Sequence, residues 1–196
     1  MEIPYTTEVR PDTGVTNPKL GMWLFLASEV MLFGSLFSSY ALLRAGAPAW
    51  PDQSAVLSVP MASVNTLILL ASSVTIRYSW TALREQHLAR FRQLMAFTIL
   101  LGTVFLIVKG VEYNDKLALG LRPATNNFLA LYFTMTGLHA LHVAAGLVVN
   151  AYLLLPGARM WTSEPQRFTN RVELAGLYWH LVDVIWLILF PVLYLI

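Results

Sequence analysis

RVELAGLYWHLVDVIWLILFPVLY, residues Arg171 to Tyr194, decides how the rest of the chain is read. The stretch is long and apolar enough to cross a bilayer, yet it carries His180 and Asp183 near its middle. On insertion scales a charged side chain at the centre of a spanning helix costs roughly 3 kcal/mol. A chain that keeps two ionisable groups there, flanked by Trp179 and Trp186, has a use for them. Four more apolar runs precede this one. Their spacing predicts five spanning helices over about 20–43, 59–80, 94–113, 128–155 and 172–195, each near the ~20 residues that hydrocarbon requires.

Composition points the same way. Hydrophobic residues make up 57% of the 196 residues and charged ones 12%, with a mean hydropathy of +0.59. Soluble domains carry about 25% charged residues. The expected fold class is all-α, an integral membrane bundle forming a single transmembrane domain over 1–196 with a polar N-terminal arm at 1–19. The links are short and rich in turn formers, such as Gly46 to Pro51 and Pro156-Gly157. The arm lacks an apolar stretch with a small-residue cleavage site, so a cleaved signal peptide is not expected. Cysteine is absent, which excludes disulfides, thiolate metal sites, iron–sulfur clusters and thiol nucleophiles. A net charge of +2 makes no case for nucleic acid.

The basic residues set an expected orientation. The arm and the links after the second and fourth segments hold Arg10, Lys19, Arg77, Arg84, Arg90, Arg92, Arg159, Arg167 and Arg171. The opposite side holds Arg44, Lys109, Lys116 and Arg122. Nine against four places the N-terminus in the cytoplasm and the C-terminus across the membrane.

Glu29 lies ten residues into the first segment, about 15 Å along the helix and near the bilayer midplane. His139 and His142 are three apart and share a face of the fourth segment. The same spacing joins His180 to Asp183 and Lys109 to Glu112. Glu112 and Tyr113 are expected near the outer interface. The functional reading is one connected network of Glu29, His139, His142, His180 and Asp183 inside the bundle, relaying protons or holding water. The plain alternative is that these groups cross-link helices by hydrogen bonds. A metal held by His139, His142 and His180 with Asp183 behind them is a third reading; without a second histidine pair it is the weakest. Small residues, Gly34 with Ser38, Ser35 with Ser39 and Ala140 with Ala144, suggest faces where helices touch. Trp23, Trp50, Trp80, Trp161 and Tyr178 read as interface anchors.

Taken together, four stretches resemble subunit III of the haem–copper oxidases, the cytochrome c and quinol oxidase family. They are GMWLFLASEVMLFGSLFSSYALLR from Gly21, KGVEYNDK from Lys109, FTMTGLHALHVAAG from Phe133 and LYWHLVDVIWLILFPVLY from Leu177. The resemblance implies a five-helix prokaryotic form, where many members have seven helices with a lipid-holding cleft against the first pair. It implies a non-catalytic accessory subunit of a respiratory oxidase in the bacterial cytoplasmic (inner) membrane. Such a subunit packs on subunit I, alongside subunit II, and supports stability and proton uptake while oxygen is reduced to water. Haem and copper then belong to partner subunits, no cofactor or metal is bound by this chain, and a phospholipid is the ligand it leaves room for. Glu29 matches the family's membrane-buried glutamate. Ser28, Lys109, Glu112, Tyr113, His139, His142, Trp179, His180, Asp183 and Trp186 fall within its motifs. An accessory subunit of a nitric oxide reductase and an independent proton-coupled transporter are the competing functions. The second lacks the inverted repeat and broken helices that mark a midplane site.

Overall fold

The protein is described from a computed structural model that covers residues 9–51, 53 and 56–195. The first eight residues of the expected polar arm and Ile196 lie outside them. Five long helices carry the chain: α1 Asn17–Gly46, α2 Val59–Arg84, α3 Leu88–Ala118, α4 Asn127–Leu154 and, after a 3-10 turn at Gly157–Arg159 and the short α5 Met160–Ser163, α6 Pro165–Tyr194. All five are long and apolar enough to cross a membrane, and the described residues contain no strand. The protein is therefore a multi-pass membrane protein.

The helices outrun the apolar segments because their ends are built from polar residues that continue the helical hydrogen bonding. α3 starts at Leu88 and α6 at Pro165, each several residues ahead of its apolar run. Proline at the first position of α6 has no N–H to leave unsatisfied. The α2–α3 link is only Glu85 to His87. There Gln86 takes φ of 63°, while His87 N–H bonds Ala82 O at 2.8 Å and Gln86 N–H bonds Leu83 O at 3.0 Å. This is the Schellman closure of a helix end, with glutamine in the left-handed position that glycine usually fills. Gly120 closes α3 the same way at φ of 74°. Asn126 caps α4 by accepting Leu129 N–H at 2.8 Å.

α2 and α3 form the most intimate pair, and α6 packs against both α2 and α4. α1 packs mainly on α4 and α6. Its buried residues are Leu26, Phe33 and Tyr40, seven apart, a seam one side chain wide. Lys19 Nζ reaches Glu173 Oε1 of α6 at 2.7 Å and ties the end of that seam. The small residues of α1 meet no other helix of this chain among the described residues. Gly34, Ser35, Ser38 and Ser39 are exposed, and the hydroxyls donate to carbonyls of their own helix. The larger side chains at the seven-residue spacing won the inner face.

The interior turns on Trp179. It is fully buried, and its indole N–H donates to Ser72 Oγ of α2 at 3.0 Å. A Cβ on Gly102 of α3 would stand 2.8 Å from Trp179 Cη2, and one on Gly146 of α4 would stand 2.8 Å from Cε3 and Cζ3. One side chain of α6 thus meets three other helices, two of them at bare backbone. Trp186 is buried as well and donates to Thr66 Oγ1 of α2 at 3.0 Å. Gly146→Ala is expected to lower stability by about 1–3 kcal/mol through overpacking. Gly34→Ala, which meets open space, should leave stability within about 1 kcal/mol of wild type, shifted upward by helix propensity. Detergent-titration unfolding of the two variants checks the contrast.

Candidate functional site

The sequence points to one network; the structure forms separate groups at different places in the bundle. The densest surrounds Glu112 near the C-terminal ends of α3 and α6. Its Oε2 accepts from Lys109 Nζ at 2.7 Å. Its Oε1 accepts from Tyr132 and Tyr194 hydroxyls at 2.8 Å each and from Lys116 Nζ at 3.2 Å. Lys109 Nζ also donates to the hydroxyl of Tyr194 at 2.8 Å and to that of Tyr132 at 3.3 Å. The two lysines and the glutamate are each at most 5% exposed. Spacings of three and four residues put Lys109 and Lys116 on the face of α3 that carries Glu112. Glu112 lies six residues before the end of α3 at Ala118, and its carboxylate is held inside the bundle by two cations and two phenols. Lys109 Nζ additionally lies 5.2 Å from the Trp186 ring centroid. Tyr113 sits beside this group, hydrogen-bonded to Thr136.

The second group joins α1 to α4. Glu29 Oε2 stands 2.8 Å from His142 Nε2, and His142 Nδ1 lies 2.8 Å from the Leu138 carbonyl. With Nδ1–H donating to that carbonyl, neutral His142 presents a bare Nε2. A protonated Glu29 can then donate to it; an ionised Glu29 instead requires imidazolium. The pair therefore holds one proton between two sites in either case. Tyr178 hydroxyl donates to the carbonyl of His142 at 2.9 Å, which fixes this turn of α4 against α6. Glu29 lies twelve residues after Asn17, about 18 Å along α1. Ser28 faces outward, donating to Phe25 O.

The third group joins α2 to α6. Ser73 hydroxyl is hydrogen-bonded to Asp183 Oδ2 and lies 2.8 Å from His180 Nδ1. Asp183 is 3% exposed, and its other oxygen, Oδ1, has no hydrogen-bond partner among the described residues. His139 joins none of these groups. It is buried with its ring stacked on Trp186, centroids 5.1 Å apart, and neither ring nitrogen has a hydrogen-bond partner among the described residues. No hydrogen bond among the described residues links the Glu29 pair to His180, Asp183 or His139. The three histidines of the metal reading sit on three different sets of neighbours, and no cluster of three or more His, Asp or Glu among the described residues is placed to hold a metal ion.

Sequence reasoning missed Ser72, Ser73, Thr66, Lys116, Tyr132 and Tyr194. The hydroxyl residues are cheap in a membrane helix, so nothing in their identity marks them. Lys116 carried a usable signal, its spacing of four from Glu112.

The sequence profile described as cytochrome c oxidase subunit III matches residues 11–196. The chain belongs to the cytochrome c oxidase subunit III family. A cytochrome c oxidase subunit 3 of Thermostichus vulcanus is 37% identical over 177 residues, covering 90% of this chain and 86% of the relative. A cytochrome bo(3) ubiquinol oxidase subunit 3 of Pseudomonas aeruginosa is 33% identical over 183 residues, covering 91% and 85%. A heme-copper oxidase subunit I+III of Aeropyrum pernix matches 89% of this chain at 31% identity, within 22% of its own length. The family's members are subunits of oxidase complexes, and the motifs that suggested it include Glu29, Glu112, His142 and Asp183, members of all three groups.

Removing the anion of the first group should be severe. Glu112→Ala leaves two buried ammonium groups without a counter-charge and is expected to cost about 3–5 kcal/mol. Asp115→Ala, on the exposed face of the same helix, should change stability by less than about 0.5 kcal/mol. Thermal unfolding in mild detergent distinguishes them.

Proposed function

We propose that this chain is a non-catalytic accessory subunit of a respiratory haem–copper oxidase in the bacterial cytoplasmic membrane. It packs on the catalytic subunit I and sustains that subunit's stability and proton uptake. The observation that carries the reading is the family match over residues 11–196. The fused Aeropyrum relative supports the choice of neighbour, because its name places subunits I and III in a single polypeptide. Haem and copper belong to the partner subunits in this reading. The arginines flanking the α2–α3 link, Arg84, Arg90 and Arg92, and those around the α4–α6 link, Arg159, Arg167 and Arg171, favour an N-terminus in the cytoplasm and a C-terminus on the far side.

Glu29 and His142 suit a role at the edge of the bundle. Both are partly exposed, at 12% and 15% of their side chains, and they hold α1 to α4 where little else does. An apolar groove of about 470 Å³ runs between α1, α4 and α6, lined by Met22, Phe25, Val149, Tyr152 and Tyr178 with Arg171 at its edge. An acyl chain fits its lining and a phosphate fits the guanidinium, which supports a bound phospholipid here.

The complex extracted in mild detergent should contain a haem-bearing partner, and the chain freed from it should contain neither haem nor copper by optical and metal analysis. Stoichiometric redox metal on the freed chain overturns the proposal. Glu29→Gln supplies an amide N–H to the bare Nε2 of neutral His142 and should leave assembly intact. Glu29→Ala should loosen α1 and shorten the active lifetime of the oxidase in turnover assays. Equal lifetimes for wild type and both variants would confine Glu29 to packing.

A further inference from the structure

In the group formed by Ser73, His180 and Asp183 the hydrogen bonds run in series through the Ser73 hydroxyl. Ser73 has a single proton to donate, and the carboxylate takes it. The contact of 2.8 Å with His180 Nδ1 is then made by an imidazole N–H donating to Ser73 Oγ. Every donor in the series points from His180 toward Asp183. The series ends at a carboxyl that is buried between α2 and α6, with Oδ1 left unpartnered. It begins at His180, whose ring is half-buried, so that Nε2 is the end turned away from Ser73.

Arg77 lies one helical turn from Ser73 on α2, on the side of Arg84 and the α2–α3 link. It is exposed, its guanidinium stands 4.4 Å from the Trp80 ring centroid, and its charge acts on His180. Arg84 follows seven residues on, about 10 Å of helix. Arg77 on α2 is the charged group of a packed element that acts on His180, and Asp183 has the Ser73 hydroxyl as its polar partner among the described residues. The Glu29–His142 pair belongs to the α1–α4 contact on another side of the bundle.

We propose that His180, Ser73 and Asp183 form a proton relay, with Asp183 as an internal proton-accepting site loaded from the bundle surface beside Arg77. A proton from water binds His180 Nε2. The Nδ1–H bond breaks as that proton moves to Ser73 Oγ, and the hydroxyl's original proton leaves for Asp183 Oδ2. One proton has entered, His180 is neutral with its proton on Nε2, Ser73 is an intact hydroxyl, and Asp183 is a neutral carboxyl. Reversal empties the site. No redox chemistry or co-reactant is involved. The relay stands on these residues alone and does not depend on the oxidase reading.

The test uses the full-length chain in lipid nanodiscs and infrared spectroscopy of protonated carboxyl groups across a pH titration, followed by transfer into D2O. Asp183→Asn should delete one protonated-carboxyl band. Ser73→Ala should keep that band but slow its deuterium shift at least tenfold, and Ser73→Thr, which restores a hydroxyl, should return the wild-type rate. His180→Gln should slow the shift as Ser73→Ala does, and it carries the test alone if Ser73→Ala fails to insert. A band that exchanges at the wild-type rate in Ser73→Ala or His180→Gln overturns the relay. So does an Asp183→Asn spectrum that retains every protonated-carboxyl band.

Discussion

The indole of Trp179 is where the bundle closes. Lipid tails give helices no hydrophobic reason to associate, so contact depends on fit and on shared hydrogen bonds. Trp179 supplies both at once. Its ring fills the space that side chains would take on α3 and α4, and its N–H finds Ser72 on α2. That bond also sets the register of α6 against α2. With Trp179 on Ser72, the next residues along each helix, His180 and Ser73, stand opposite one another, and Asp183 follows one turn later. The polar groups meet because a tryptophan between them has already fixed where the helices lie.

Two solutions to charge in hydrocarbon are visible side by side. Around Glu112 the cost of burial is met by saturation, with four donors on one carboxylate and the two lysines bracketing it in sequence. Such a site gains rigidity and loses freedom to change charge, since each donor holds the carboxylate in place. Glu29 and Asp183 are each given one protein partner instead. Groups so lightly held keep the capacity to exchange a proton or a neighbour. Subunit III chains are named in oxidases of cytochrome c and of ubiquinol alike.

Much of this was readable before any coordinates, and the boundary is physical. The five spans follow from hydropathy, because a bilayer imposes one length and one composition. The ion pair of Lys109 and Glu112 follows from helical spacing alone. Glu29 was singled out as a carboxyl that needs a partner, but which partner was beyond reach. His142 is 113 residues away, and periodicity says nothing about which faces of different helices meet. The same ignorance merged separate groups into one network. It also hid Ser73, since a hydroxyl in a membrane helix normally bonds its own backbone, as Ser35 and Ser38 do. The small residues of α1 misled for a related reason: they permit a close contact, and nothing in the spacing says whether a neighbour accepts it.

The slender seam of α1 bears on how the chain is made. Residues 17–46 leave the ribosome before α4 and α6, the helices they lean on, are synthesised. Across the 113 residues separating Glu29 from His142, translation at about 5–20 residues per second takes about 6–23 s. For that interval a helix with an unmatched midplane carboxyl waits in the insertion machinery or the surrounding lipid. Its outward serines bond their own carbonyls, while Glu29 and Lys19 find their partners on α4 and α6. Assembly of this contact is then a delayed capture, in which a histidine made 113 residues later claims a helix already in place.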